Sequence, residues 1–145
     1  GYTRGLIGDR QYGGNDIAIL KIDFEGELIW QRQFGTTGNE SAYGLTLGSQ
    51  GHIMISGRIY DASWDDRPNP NGDAFILELS QTGEQVQVQQ YGSFGRDEFV
   101  DLKYHQGQLS VAGYFDDRSD GGIENTQIVV DRIVSLDDSR TYPYK

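Results

Sequence analysis

Three polar stretches, "RGLIGDRQYGGND" (4–16), "YDASWDDRPNPNGD" (60–73) and "FDDRSDGGIEN" (115–125), hold most of the side chains able to do chemistry. All three are dense in carboxylate and amide oxygens. Calcium takes six to eight hard oxygen ligands at about 2.3–2.6 Å, drawn from carboxylates, amides and loop carbonyls. In the second stretch Asp61, Asp65, Asp66, Asn69, Asn71 and Asp73 would supply them. In the third they would come from Asp116, Asp117, Asp120 and Asn125, and in the first from Asp9, Asn15 and Asp16. Calcium is thus the one cofactor these residues suggest, although their spacing matches neither an EF-hand nor the glycine-rich calcium nonapeptide. The competing reading is that Asp, Asn and Gly are what tight exposed turns use. For Asp16 and Asp73 the expectation is a third role, anchoring the loop by accepting backbone N–H bonds.

Other reactive residue types are sparse. His52 and His105 lie in similar turns but at unaligned positions, and both read as surface residues. No G-x-S-x-G elbow, phosphate-binding loop or H-E-x-x-H stands anywhere in the chain. Asp97 and Glu98 are adjacent, and neighbours on a strand point to opposite faces, so they cannot act on one bond from two sides. No catalytic residue is expected. Trp64 sits among charged loop residues, where a large aromatic is either a contact for a protein partner or a lid over the sheet edge. Tyr142 and Tyr144, in "TYPYK", are candidates for docking on a neighbour or for a last outer strand.

The elements that position these loops show in an internal echo. "NDIAILKIDFEGELIWQRQFG" (15–35) returns as "GDAFILELSQTGEQVQVQQYG" (72–92), so Asp16 answers Asp73 and Gly26 answers Gly83, 57 residues on. "GTTGNESAYGLTLGSQGHIMISGRIY" (35–60) returns as "GSFGRDEFVDLKYHQGQLSVAGYF" (92–115), and "NTQIVVDRI" (125–133) begins a third copy. A period of this length marks a repeat architecture in which each unit leans on its neighbours. Within a unit, four short apolar runs rich in β-branched and aromatic residues are separated by turn residues; the first unit has them at 17–22, 28–34, 42–47 and 53–59. That pattern predicts antiparallel strands and an all-β fold. "DFEG" and "SQTG" predict hairpin turns with a positive φ at the glycine. The runs at 17–22 and 74–79 are apolar on both faces, as strands covered by a layer on each side must be.

Composition bounds the partners. The 145 residues carry 22 acidic and 12 basic side chains, a formal net charge of −10, and no cysteine. With no basic stripe to release counterions, nucleic acid is excluded as a partner. No apolar run approaches the ~20 residues of a transmembrane helix. The chain begins at Gly1, which reads as a processed or excerpted segment.

The unit "DAFILELSQTGEQVQVQQYGSFGRDEFVDLKYHQGQLSVAGYF", and the first unit with its "W-x-R-Q-F-G-T" form, resemble the SBBP-type bacterial β-propeller repeat in the form met in cyanobacterial multi-repeat proteins. The resemblance spans residues 1–131; the tail "VSLDDSRTYPYK" leaves the pattern. It implies propeller blades, four-stranded antiparallel meanders: the outer part of one blade in 1–38, a complete blade in 39–95 and a further blade with a divergent tail in 96–145. Propellers close with 4–8 blades, so about two and a half blades imply a larger ring, completed by the rest of a longer protein, by further copies or by another chain. The function implied is a non-catalytic scaffold presenting loops for protein–protein interaction, placed in the periplasm, at the cell surface or outside the cell. Two alternatives stand beside it: a lectin-like propeller taking a glycan in each groove, and a fragment of a propeller hydrolase or quinoprotein. "DFEGELIW" fits neither the sialidase Asp-box, whose spacing is shorter, nor the quinoprotein tryptophan motif, since Gln87 replaces Trp30 in the second unit.

Overall fold

In a computed structural model the described residues are 1–60, 70–92 and 95–116 with their side chains, and 126–133 as backbone. The fold is all-β, with no α-helix among the described residues. Among the described residues ten strands form three antiparallel sheets. The first is β1 (Tyr2–Thr3), β2 (Asp16–Ile22) and β3 (Leu28–Phe34). The second is β4 (Asn39–Leu47), β5 (Ile53–Tyr60), β6 (Asp73–Leu79) and β7 (Gln85–Tyr91), in that spatial order. The third is β8 (Glu98–His105), β9 (Gln108–Asp116) and β10 (Thr126–Ile133). Within each sheet chain order and spatial order coincide, so consecutive strands pair as neighbours.

Local chemistry explains the hairpins. Between β2 and β3 the Asp23 carboxylate accepts the N–H groups of Glu25 and Glu27 at 3.0 and 2.8 Å, and Gly26 takes a φ of +90°. Between β6 and β7 Ser80 does the same work: its Oγ accepts from the Glu84 N–H at 3.2 Å, and Gly83 takes +81°. A short polar acceptor at the first position and a glycine at the fourth are what this turn needs. The bulges recur too. One falls between Lys21 and Ile22 and again between Glu78 and Leu79; another falls between Ala42 and Gly44 and again between Phe99 and Asp101. Bulges at fixed places raise the local twist, giving successive sheets one shape.

The sheets stack through two apolar layers. Ile17 and Ile19 of the first sheet meet Ile53, Ile55, Ile59, Phe75, Leu77 and Leu79 of the second. The opposite face of the second sheet, with Met54, Ala74 and Ile76, meets Phe99, Leu102, Leu109 and Val111 of the third. Strand β8 lies against β4 and β5, and β2 lies against β4. β6 is therefore covered on both sides, and residues 74–77 are fully buried.

The two-faced apolar pattern at 17–22 meets a different fate. Leu20 and Ile22 hold the repeat positions of Leu77 and Leu79, yet they are 57% and 59% exposed where their counterparts are 0%. The pattern is the same; the neighbour differs. Removing a fully buried leucine loses its transfer free energy and leaves a void. Leu77→Ala is therefore expected to destabilise the chain by about 2–5 kcal/mol, and Leu20→Ala by less than about 1 kcal/mol. Urea unfolding of the two variants reads this directly; equal losses would contradict the stacking described.

Candidate functional site

The polar loops all leave the sheets at one end, where β2, β4, β6 and β8 begin. At the base of the first loop sits Asp16, fully buried. Its Oδ2 accepts the Tyr12 N–H at 2.9 Å and the Gln33 side-chain amide at 2.6 Å, and its Oδ1 accepts the Gly13 N–H at 3.1 Å. Gln33 in turn accepts the Ile7 N–H at 2.9 Å through Oε1. Asn15 accepts from Arg4 Nε at 2.9 Å, and its carbonyl accepts the Glu40 N–H at 2.7 Å. One carboxylate and one amide thus tie loop 4–15 to β2, β3 and β4. The expected anchoring role of Asp16 is what the geometry shows.

The knot recurs one unit later. Gln90, 57 residues after Gln33, donates to Asp73 Oδ2 at 2.6 Å, and the Gly72 carbonyl accepts the Asp97 N–H at 2.8 Å. Gly35 and Gly92 belong to the same device. A Cβ at Gly35 would overlap the carboxylates of Asp16 and Glu40, and one at Gly92 would overlap that of Asp73. Only glycine lets the backbone pass so close to a buried carboxylate.

Of the candidate metal and contact residues, Asp61, Asp65, Asp66, Asn69, Asp117, Asp120, Asn125, Trp64, Tyr142 and Tyr144 lie outside the described residues. Asn71 is exposed, and its carbonyl accepts from Arg58 at 2.6 Å. Asp73 is committed to Gln90, and the Asp116 N–H donates to Asp97 Oδ1 at 3.0 Å. Asp97 therefore joins the bases of the second and third loops. Among the described residues no three of His, Cys, Asp and Glu are grouped to hold a metal ion. Asp9 is exposed, apart from Asp16 and Asn15 in their knot.

Three polar groupings were not foreseen. Glu40 heads β4 with no exposed surface; its Oε1 accepts the Thr36 hydroxyl at 2.5 Å, and its Oε2 has no hydrogen-bond partner. Its alignment with Asp97 is the signal that would have found it. Arg96 and Arg58 converge on Glu98, at 2.9 and 3.9 Å, and the Glu98 carboxylate holds the Arg96 guanidinium more firmly protonated than usual. At the opposite end of the sheets His52 is half-buried, its Nδ1 2.6 Å from Glu78, which also accepts from Gln87 at 2.6 Å. His52, read from sequence as a surface residue, is partly exposed and meets Glu78 because β5 and β6 run side by side. Trp30 packs on the first apolar layer and donates its indole N–H to the Gln81 carbonyl at 3.3 Å.

The loop end also carries stacked cation–aromatic pairs. The Arg10 guanidinium lies 5.0 Å from the Tyr12 ring centre, and Arg58 lies 4.9 Å from that of Tyr60. Arg10 and Tyr12 are both exposed, and exposed Arg and Tyr are the residue types that carry contact energy at protein interfaces.

Glu40 makes the junction sensitive to pH. Burial, opposed by the Thr36 hydrogen bonds and reinforced by the Asp16 charge, raises its pKa from 4.5 to about 7. Between those values the folded chain keeps a proton that the unfolded chain has lost, so stability falls as pH rises through the window and levels off above it. A tenfold change in proton affinity is worth about 1.4 kcal/mol, so the full effect is on the order of 3 kcal/mol. Glu40→Gln is expected to match the wild type near pH 4 and to exceed it in stability at pH 8. Urea midpoints across that range check this; parallel curves for the two proteins would show that Glu40 is not the titrating group.

No family model matches the chain. The chain is 29% identical over 110 residues to the Regulatory protein FlaEY of Caulobacter vibrioides. That match covers 70% of this chain and 12% of the relative, so the chain spans a small part of the protein it resembles.

Proposed function

We propose that this chain is a segment of a β-propeller built from SBBP-type repeats, and that it works as a non-catalytic scaffold holding loops against a protein partner. The observation that carries the proposal is the recurring knot at the loop bases. Asp16 ties the first loop to β2 and, through Gln33, to β3, and Asp73 with Gln90 repeats the carboxylate–amide pair at the same place in the next unit. A loop held this way loses little further entropy when it meets a partner, the physical advantage of a preorganised contact surface. Stacking of units through alternate faces, with bulges in register, supports the propeller reading, and the repeat resemblance supplies its name. The relative bears the name of a regulatory protein, and regulation by binding fits a scaffold better than catalysis does. By the same resemblance the site of action is the periplasm, the cell surface or the medium.

The contact surface proposed is the loop end, with Arg10 and Tyr12 as its described anchors; Trp64 is the further contact that the sequence suggests. A photo-crosslinking residue introduced at Tyr12 is expected to capture a partner protein in the producing cell, and the same residue at Glu84, in a turn at the opposite end, to capture none. Arg10→Ala should weaken capture about tenfold, roughly 1.4 kcal/mol. Equal capture from both ends, or from neither, would overturn the scaffold reading.

A further inference from the structure

The first loop meets the second sheet where residues 13–15 lie on residues 36–40. The Gly14 N–H donates to the Gly38 carbonyl at 2.8 Å, the Glu40 N–H to the Asn15 carbonyl at 2.7 Å, and the Asn15 N–H to the Asn39 side-chain oxygen at 3.1 Å. The packing at this joint is close. A Cβ at Gly13 would stand 2.3 Å from the Thr36 carbonyl oxygen and 2.7 Å from that of Gly38. Beneath the joint lie two acids, Asp16 and Glu40, neither with any exposed surface. Both are already enclosed, so no further chain can reach them.

The two carboxylates converge. A Cβ at Gly35 would stand 2.3 Å from Asp16 Oδ1 and 2.6 Å from Glu40 Oε2. Glu40 Oε1 is taken by the Thr36 hydroxyl, while Oε2 has no partner. Asp16 Oδ1, which accepts one N–H where Oδ2 accepts two, is turned to the same point. Asp16 is the charged side chain that acts on Glu40. The other charged groups on the surrounding elements are spent elsewhere or face water. Arg4 of the first loop is bound to Asn15, and Asp9, Arg10 and Tyr12 are exposed on it, as is Tyr2 of β1. Lys21 of β2 reaches the Gln81 carbonyl. On β5 Ile59 stands opposite Glu40, and Arg58 is bound to the Asn71 carbonyl. On β8, which also lies against β4, Arg96 is paired with Glu98 and Asp97 accepts the Asp116 N–H. Two buried carboxylates so placed, with no cation between them, are stable when they hold one proton in common and costly when both are ionised.

We infer that Glu40 and Asp16 share one proton across the first junction, Glu40 Oε2 donating to Asp16 Oδ1, and that loss of this proton to water opens the joint between loop 4–15 and the second sheet. Protonated, Glu40 ties the carboxylate that anchors the loop to the strand on which the loop lies. Ionised, the two acids repel each other where water does not reach, and relief comes when residues 13–15 and 36–40 part. The joint is therefore closed at acid pH and opens as pH rises through the neutral range where Glu40 gives up its proton. The repeat shows that the fold does not require this latch. In the next unit the shorter Asp97 stands in place of Glu40, and its Oδ1 accepts the Asp116 N–H. If the loop end is the contact surface proposed above, the latch puts the presentation of Arg10 and Tyr12 under pH control. That consequence rests on the scaffold reading; the latch itself does not.

Amide hydrogen exchange on the full chain between pH 5 and pH 8, expressed as protection relative to a free peptide, tests the inference. The Gly14 and Glu40 amides cross the joint; the Ser80 amide, bonded to the Glu84 carbonyl at 2.9 Å in a hairpin of the second sheet, serves as the reference. As pH rises, Gly14 and Glu40 should lose at least tenfold more protection than Ser80. Glu40→Gln carries an amide that can donate where the acid does, so its joint should stay equally protected across the range. Flat protection in the wild type overturns the inference. So does an equal loss at Ser80, or the same loss in Glu40→Gln. The side-chain carboxyl carbon shifts of the wild type give a second reading that needs no variant. The Asp16 carbon should move at the midpoint of Glu40, and an Asp16 carbon that stays still through that step would show that the proton is not shared. Capture from Tyr12 at a single pH bears on the scaffold reading alone, so either can fail without the other.

Discussion

A β-sheet that is apolar on both faces is stable only as the filling of a sandwich, and that requirement governs this molecule. Strand β6 states it most plainly: Ala74, Phe75, Ile76 and Leu77 have no exposed surface, two turned to one neighbour and two to the other. Each of these side chains contributes roughly 1.5–3 kcal/mol when buried, alanine less. Neither neighbouring sheet alone supplies that cover. The fold is consequently a stack whose stability resides in the contacts between units more than in any unit by itself.

Polar chemistry is arranged around the same stack. Where sheets adjoin at the loop end, backbone passes close to buried carboxylates, and the chain meets this with glycine at 35 and 92 and with glutamine at 33 and 90. The carboxylate of Asp16 is saturated by N–H donors, as a buried charge must be. Glu40 lacks such saturation on one oxygen and answers by holding its proton to a higher pH. The two acids lie at one junction and solve the same problem differently, the one by hydrogen bonds and the other by neutralisation. The first loop is held at its base by such a knot, and the side chains of Arg10 and Tyr12 stand exposed on it.

Much of this architecture could be read from residues alone. The 57-residue echo located the hairpin turns at 23–26 and 80–83. The Asp23 and Ser80 turns, with Gly26 and Gly83, were visible as turn chemistry because a turn is decided within four or five residues. Asp16 was recognisable as an anchor because it shares one place in the repeat with Asp73. Gln33 and Gln90 hold one place too, but a glutamine in an outer strand has no chemical signature, and its partner lies 17 residues away across a strand pair. Glu40 was hidden for a similar reason: burial, and with it a raised pKa, belongs to the surroundings and not to the residue.

Strand identity, turn type and the two-faced apolar pattern were therefore settled by sequence, since each depends on side chains a few positions apart. Which faces are covered was settled only in three dimensions. Leu20 and Leu77 have the same neighbours in sequence pattern and opposite environments, one open and one fully enclosed. The convergence of Arg58 and Arg96 on Glu98, and of His52 on Glu78, likewise joins residues from different strands or loops. Burial is a property of what lies across a gap, and no local pattern encodes what stands on the far side.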